Sequence, residues 1–232
     1  MLVAHRNGMS VSVGGWQNPY VTDGLVAMWD GEWNAGGGVH DATATTWMNL
    51  VTGETVSLPS GFTVGADCIS VANANQSLVV SDYSGADFTV EYVFALADSN
   101  TGRECLFESV AANSAWCYKA AASVQDIWPS NSYALNLFSR TGNVGVRKHI
   151  ASTWSNIYSS DNVGYDYLDG AQLPTNQPFI RGTPASLNGF RVGRSGYTTY
   201  QDINCIRIYN RALTAAEIAA NHAIDKARFN LP

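Results

Sequence analysis

The chain is poor in charge. Lys, Arg, Asp and Glu make up 14% of its 232 residues, against roughly 25% in an average soluble protein. Lysine is scarcest, at Lys119, Lys148 and Lys226 alone, and the formal net charge is −6. The basic stripe of a nucleic-acid binder is therefore missing, as is a polybasic membrane patch. The densest basic run, Arg147-Lys148-His149, reads as a solvated strand end. Long apolar runs are missing too. None approaches a transmembrane span, and none of signal-peptide length follows the N-terminal Met1. No membrane insertion and no cleaved leader are expected. The cysteines, Cys68, Cys105, Cys117 and Cys205, match no zinc-ligand spacing. They read as small, half-buried free thiols, with Cys105 and Cys117 the pair that a hairpin could bring face to face.

What remains is Ser, Thr, Asn, Gln and Gly on the surface and 46% hydrophobic residues, 11% of the chain being aromatic. A domain of this length buries roughly 70–75% of its unfolded surface, so it needs no metal or disulfide to fold. A surface so low in charge suits a protein working outside a cytoplasm. Combined with the missing leader, it points to a phage virion component, made inside the cell and acting outside it.

Short β-rich runs recur between turn residues. The firmest is Asp87 to Leu96, in which Phe88, Val90, Tyr92, Phe94 and Leu96 alternate with Thr89, Glu91, Val93 and Ala95, the period of a strand. Leu25–Asp30 reads as the first firm strand, before a glycine-rich loop from Asp30 to Asp41. Further strands are expected at 47–51, 77–80, 103–108, 115–120, 133–138, 144–150, 155–159, 165–169, 189–194 and 204–209. Asp169-Gly170 is a two-residue hairpin signal. Residues 1–22 read as an N-terminal arm or loose first strand, and 23–232 as one domain. Thr214 and Glu217 form a capping box ahead of a helix over 215–227, anchored by Leu213, Ile218 and Ile224 and expected to cover an end or edge of a sheet. The fold class is all-β, a two-sheet antiparallel sandwich closed by one short C-terminal helix.

Two segments resemble a known family. They are Gly24-Leu-Val-Ala-Met-Trp-Asp-Gly31, with Trp47-Met-Asn-Leu-Val51 downstream, and Ile206-Arg-Ile-Tyr-Asn-Arg-Ala-Leu-Thr-Ala-Ala-Glu-Ile218. Both resemble the concanavalin-A-like, laminin-G-like jelly-roll domains of bacteria and their phages, as does the strand-turn Tyr165-Asp-Tyr-Leu-Asp-Gly170. The resemblance spans about residues 23–228. It implies two antiparallel sheets packed as a jelly roll. It also implies a binding module, often for glycans, with calcium at the sandwich rim in some members and glycoside hydrolase activity in others.

Hydrolysis of a glycoside needs two carboxyls roughly 5–9.5 Å apart, and no predicted strand carries acids at alternate positions. Glu104 and Glu108 share a strand face but lie about 13 Å apart at 3.3 Å per residue, with Leu106 between, and read as a solvated edge. Asp166 and Asp169 fall on opposite faces. No Gly-x-Ser-x-Gly elbow occurs, and Gly36-Gly37-Gly38 lacks the Gly-Lys-Ser/Thr ending of a phosphate loop. The chain reads as no enzyme and requires no cofactor. Calcium takes roughly six to eight oxygen ligands. Asp30, Asn34 and Asp41 supply some, and the resemblance adds the last strand, where Asn204 replaces the family acid and Asp202 lies nearby; hydrogen-bonded Asx turns would use the same loop residues otherwise. A glycan needs aromatic platforms edged by amides and carboxylates. Trp116, Tyr118, Trp128 and Trp154 in the central segment and Tyr197 and Tyr200 near the last strand are the candidates. The expected partner is a glycan or host-surface receptor, with other virion subunits contacted through the 1–22 arm. A purely structural decoration protein is the alternative.

Overall fold

The computed structural model describes residues 17–74, 76–97, 104–110, 116–119, 123–128, 133–158, 163–174, 189–193 and 199–232. Three groups of strands appear. The larger sheet has eight: β1 (Leu25–Asp30), β4 (Phe62–Val64), β5 (Ile69–Ala74), β7 (Phe88–Leu96), β12 (Arg147–Ser155), β13 (Val163–Leu168), β14 (Ala171–Gln172) and β16 (Thr199–Tyr209). Their order is β14-β13-β12-β7-β16-β5-β4, with β1 also paired to β16. The smaller sheet orders β6 (Leu78–Ser81), β8 (Glu104–Ser109), β9 (Trp116–Lys119), β10 (Ser123–Trp128), β11 (Tyr133–Ser139) and β15 (Phe190–Val192) as β11-β10-β9-β8-β15-β6. A two-stranded ribbon joins β2 (Thr46–Met48) to β3 (Thr55–Ser57). All strand ladders are antiparallel. One helix, α1 (Ala215–Phe229), follows β16, and no helix among the described residues is long and apolar enough to cross a membrane.

The alternation read in β7 sets the architecture. Phe88, Val90, Tyr92, Phe94 and Leu96 all enter the inter-sheet core. There they meet Leu106, Phe107, Phe190 and Val192 of the smaller sheet and Ile203, Ile206 and Ile208 of β16. Aromatic stacking runs through this layer, with Tyr92 and Phe94 at 4.9 Å and Phe107 and Phe190 at 5.6 Å between ring centroids. Gln201 ties the sheets together, accepting from the Tyr92 hydroxyl at 2.6 Å and donating to the Leu106 carbonyl at 3.1 Å. The tryptophans of the two quoted sequence segments do related work. Trp29 donates to the Val80 carbonyl, Trp47 donates to the Asp30 carbonyl, and the rings meet edge to face at 5.6 Å.

The opposite face of β7 is equally dry, because α1 lies across the larger sheet instead of covering an end or edge. Ile218 packs on Ala151, Tyr167, Tyr209 and Leu213, while Phe229 packs on Met28, Val93 and Cys205. The expected capping box forms, Thr214 and Glu217 exchanging bonds. Glu217 also takes both terminal nitrogens of Arg211, and mainly that pairing holds its carboxyl down at about 2. The helix runs two residues beyond 227 and ends where Asn230 turns left-handed at φ 52°, a C-terminal stop for which asparagine is suited.

Between α1 and the sheet lies a buried ionic layer. Arg207 is wholly buried, its Nε donating to Glu91 at 2.7 Å and its two terminal nitrogens to Asp225 at 2.9 and 2.5 Å. Asn221 donates to Glu91 and to the Tyr209 hydroxyl. Burial alone would raise the Glu91 carboxyl, but Arg207 and then His149 outweigh it and hold it at about 2.

Several local expectations change. The basic run 147–149 is no solvated strand end: Arg147 pairs with Asp67, Lys148 with Asp169, and His149 is fully buried. Residues 155–158 form no separate strand, since Ser155 ends β12, and 159 lies outside the described residues. Five strands, β3, β4, β5, β10 and β14, have no counterpart among the expected ranges. The Asp169-Gly170 hairpin is present, both residues at positive φ, 49° and 78°. Gly164 is required by packing, since a Cβ there would lie 2.6 Å from the Trp154 ring. Cys68, Cys105 and Cys205 are buried. Cys105 opposes Tyr118 while Cys117 opposes Phe107, so the two cysteines are not register partners.

Arg207→Ala would strand two buried carboxylates and is expected to cost about 3–5 kcal/mol, measured by urea unfolding at pH 7. The depressed values of Glu91 and Glu217 imply stability that is full above their unfolded values near 4.5 and lost as pH falls towards about 2. An acid unfolding curve with its steepest loss below pH 4.5 is the expected outcome.

Candidate functional site

The loop after β1 is organised by Asp30. Its Oδ1 accepts from the backbone of Glu32 at 3.0 Å and Trp33 at 3.1 Å, an Asx turn. Gly31 sits so close to Cys68 that a Cβ would lie 2.4 Å from its Cα. Asn34 then clamps the loop reciprocally, donating to the Asp41 carbonyl and accepting from the Asp41 amide. The turn aims Glu32 and Trp33 at the last turns of α1, where Ala223, Ile224, Ala227 and Arg228 share one face. Together with Gln17 and Pro19 these residues line an open groove of about 630 Å³.

Arg228 is the hinge of this groove. It donates to Asp30 through both terminal nitrogens at 2.8 and 3.1 Å, to Glu32 at 2.7 Å and to the Tyr20 hydroxyl at 2.6 Å. Its guanidinium carbon lies 3.4 Å from the Trp33 ring centroid and 4.5 Å from that of Phe229, a stacked cation–π contact. Burial works against the Arg228 charge, but Asp30 outweighs it and raises the pKa. Burial also pushes the Asp30 carboxyl up, with Arg228 opposing. Tyr20 joins this group to the ionic layer: it donates to Asp225 at 2.7 Å and lies under Arg207 at 4.0 Å. The described end of the arm, residues 17–22, is thus no loose strand. Tyr20 is 4% exposed, and the Val21 amide is bonded to Asn221.

The groove unites residues that sequence reasoning passed over. Asp30 and Glu32 do stand at alternate positions, though Glu32 lies past the end of β1, and both carboxylates converge on Arg228. The signal was present in Asp30-Gly-Glu-Trp33, but nothing in the sequence pairs that stretch with Arg228 or Gln17.

The expected calcium ligands do not converge. Both Asp30 oxygens serve Arg228, itself a cation. Asn34 is spent on Asp41, whose carboxylate is exposed and accepts from Thr43. Asp202 accepts from Ser70, and Asn204 donates to the Asp67 carbonyl. Among the described residues no three His, Cys, Asp or Glu side chains are placed to hold a metal. These five positions do not fit calcium.

The expected aromatic platforms fare unevenly. Trp154 is a correction: it is 1% exposed and part of the inter-sheet core, because β12 directs it inward. Tyr200 is half-buried in β16. Tyr197 and the side chains of Trp116, Tyr118 and Trp128 lie outside the described residues. The backbone register does place Trp116 opposite Glu108 and Tyr118 opposite Cys105 on the smaller sheet, with Trp128 opposite Tyr133. Glu108 is no solvated edge residue. It faces away from the core, is 2% exposed and pairs with Arg191.

Asp30→Asn is expected to lower stability by about 2–4 kcal/mol through loss of its charge-assisted bonds. Thermal melts with calcium or with a chelator should show the same deficit, since Arg228 is what the carboxylate serves.

No family profile and no curated protein sequence matches the chain. Solved structures do. A Trypanosoma rangeli sialidase superposes with TM-score 0.66 at 16% identity over 91% of this chain and 34% of its own. The same sialidase in complex with sialic acid gives TM-score 0.66 at 15% identity, over 91% and 35%. The receptor-binding domain of botulinum neurotoxin type G gives 0.62 at 11%, over 88% of this chain and 52% of its own. The chain thus spans about a third of the sialidases' length and about half of the toxin structure's. At such identities the likeness is one of fold, and the fold is the concanavalin-A-like jelly-roll sandwich.

Proposed function

We propose that the chain is a non-catalytic glycan-binding module and that its ligand occupies the groove of Gln17, Glu32, Trp33 and α1. The observation that carries this is the composition of the groove. An aromatic ring is edged by an amide and a carboxylate on an apolar floor of Pro19, Ala223, Ile224 and Ala227. A sugar presents apolar C–H faces and a hydroxyl rim, which such a surface complements. Its volume falls in the range usual for small-ligand sites, roughly 300–1,000 Å³. The fold supports the same reading by analogy, since sandwiches of this kind occur in proteins that bind sugars or receptors.

Catalysis is not part of the proposal. Asp30 is wholly buried and, like Glu32, bonded to Arg228, so the two carboxyls do not flank an open site as a glycosidase pair must. The charge-poor composition supports display on a phage particle as an attachment component. There the segment before Gln17 would meet other subunits.

A glycan array followed by calorimetry tests the reading. Wild-type protein should bind a saccharide and turn over none of a polysaccharide panel. Trp33→Ala should abolish binding. Gln17→Ala, which alters an exposed side chain, should weaken it about three- to tenfold at unchanged melting temperature, the effect of one lost hydrogen bond. An array blank at millimolar sensitivity would sink the proposal, and measured hydrolysis would sink its non-catalytic half.

A further inference from the structure

Two histidines far apart in sequence meet under α1. His149 of β12 is completely buried, and His222 projects from the helix onto it. Their rings stack at 5.4 Å between centroids, 8° from parallel. His149 Nε2 lies 3.4 Å from Glu91 Oε1, long for a hydrogen bond. Neither nitrogen of His149, nor Nδ1 of His222, nor Glu91 Oε1 has a hydrogen-bond partner. The β13–β14 turn closes the other side of His222: a Cβ on Gly170 would stand 2.7 Å from its Cδ2.

The charges around the pair come from every element packed there. β7 contributes Glu91, and β16 contributes Arg207, which binds it. β12 contributes Lys148, whose ammonium is held by Asp169 of the turn, and Asp169 also accepts from the His149 amide. The helix contributes Asp225, bound to Arg207, and Lys226. Each nearby carboxylate already serves another donor, Glu91 through Oε2 alone, and a proton arriving on His222 meets the stacked face of His149.

We propose that the stacked pair is a proton-sensitive latch: the stack holds α1 on the sheet, and protonation of His222 loosens it. Because Ala223, Ile224, Ala227 and Arg228 form one wall of the groove, opening the latch dismantles that wall. As a device for releasing ligand in acid, this rests on the glycan-binding reading, whereas the latch itself does not. The direction follows from the environment. Burial first, and then His149, holds the His222 pKa below the usual histidine value, with Asp169 and Asp225 opposing. A group whose folded value is depressed contributes stability that is full above its unfolded value, near 6.5 for histidine, and is lost as pH falls.

The test uses no ligand, so its outcome is independent of whether any glycan binds. Urea unfolding is compared at pH 7.5 and 5.5, above the range in which Glu91 and Glu217 titrate. The unfolding constant of the wild type should rise about tenfold more than that of His222→Phe, the factor for a histidine that protonates only when unfolded. Other titrating groups, Asp30 among them, cancel in that difference. Should His222→Phe fail to fold, His222→Asn serves the same comparison. Amide exchange corrected for intrinsic rates should also accelerate across 215–229 at pH 5.5 more than across β7, in the wild type only. An equal pH response in wild type and variant, or helix exchange that merely tracks β7, would overturn the latch.

Discussion

Arg207 is the constraint on which the outer half of the molecule depends. Its guanidinium is fully buried on the face of the larger sheet turned away from the core, and in such surroundings a charge is tolerated only when every donor is matched. Glu91 from the neighbouring strand and Asp225 from the helix match it, and each is then buried by the same arrangement. The consequence is directional. An apolar helix face would pack on a sheet in several registers at similar cost. A helix that must bring Asp225 to Arg207 and Asn221 to Glu91 has far fewer choices. Tyr20 extends this restriction to the segment before β1 and, through Arg228, to the loop that carries Trp33.

The architecture was legible where the physics is local. The period of two in Asp87 to Leu96 specified a strand and its core face, the Thr214 and Glu217 spacing specified the helix start, and Asp169-Gly170 specified a hairpin. These signals act over a few residues. The unread strands are short or weakly patterned. β4 and β5 hold Phe62–Val64 and Ile69–Ala74 around a turn of small residues, and the β10 sequence breaks the period of two, its Val124 and Ile127 standing three positions apart.

The groove was illegible for a different reason. It joins residues near 17, 32 and 225, and only the folded chain reveals that α1 crosses the sheet from β14 and β12 to β16 and β1. The capping box says where a helix begins but nothing about the surface it covers, so an edge was as reasonable as a face. Asp30 shows the same limit. Its position in a glycine-rich loop with Asn34 and Asp41 looks like an oxygen cage until Arg228, two hundred residues away, is seen to occupy it. Trp154, conversely, carried no local mark separating it from an exposed platform; the small Gly164 opposite it, which makes room for its ring, is a cross-strand fact.

The reciprocal clamp between Asn34 and Asp41 divides the loop after β1. It pinches the chain at two points, so the glycine-rich stretch between them is a closed excursion, tied to the turn that sets Trp33 by the Gly36 amide on the Trp33 carbonyl. The Asp30 turn and the Asp30–Arg228 pair behind the aromatic ring rest on bonds outside that excursion. The neighbourhood of the groove is therefore built in two parts: a platform held by buried charge, and beside it a loop closed on itself.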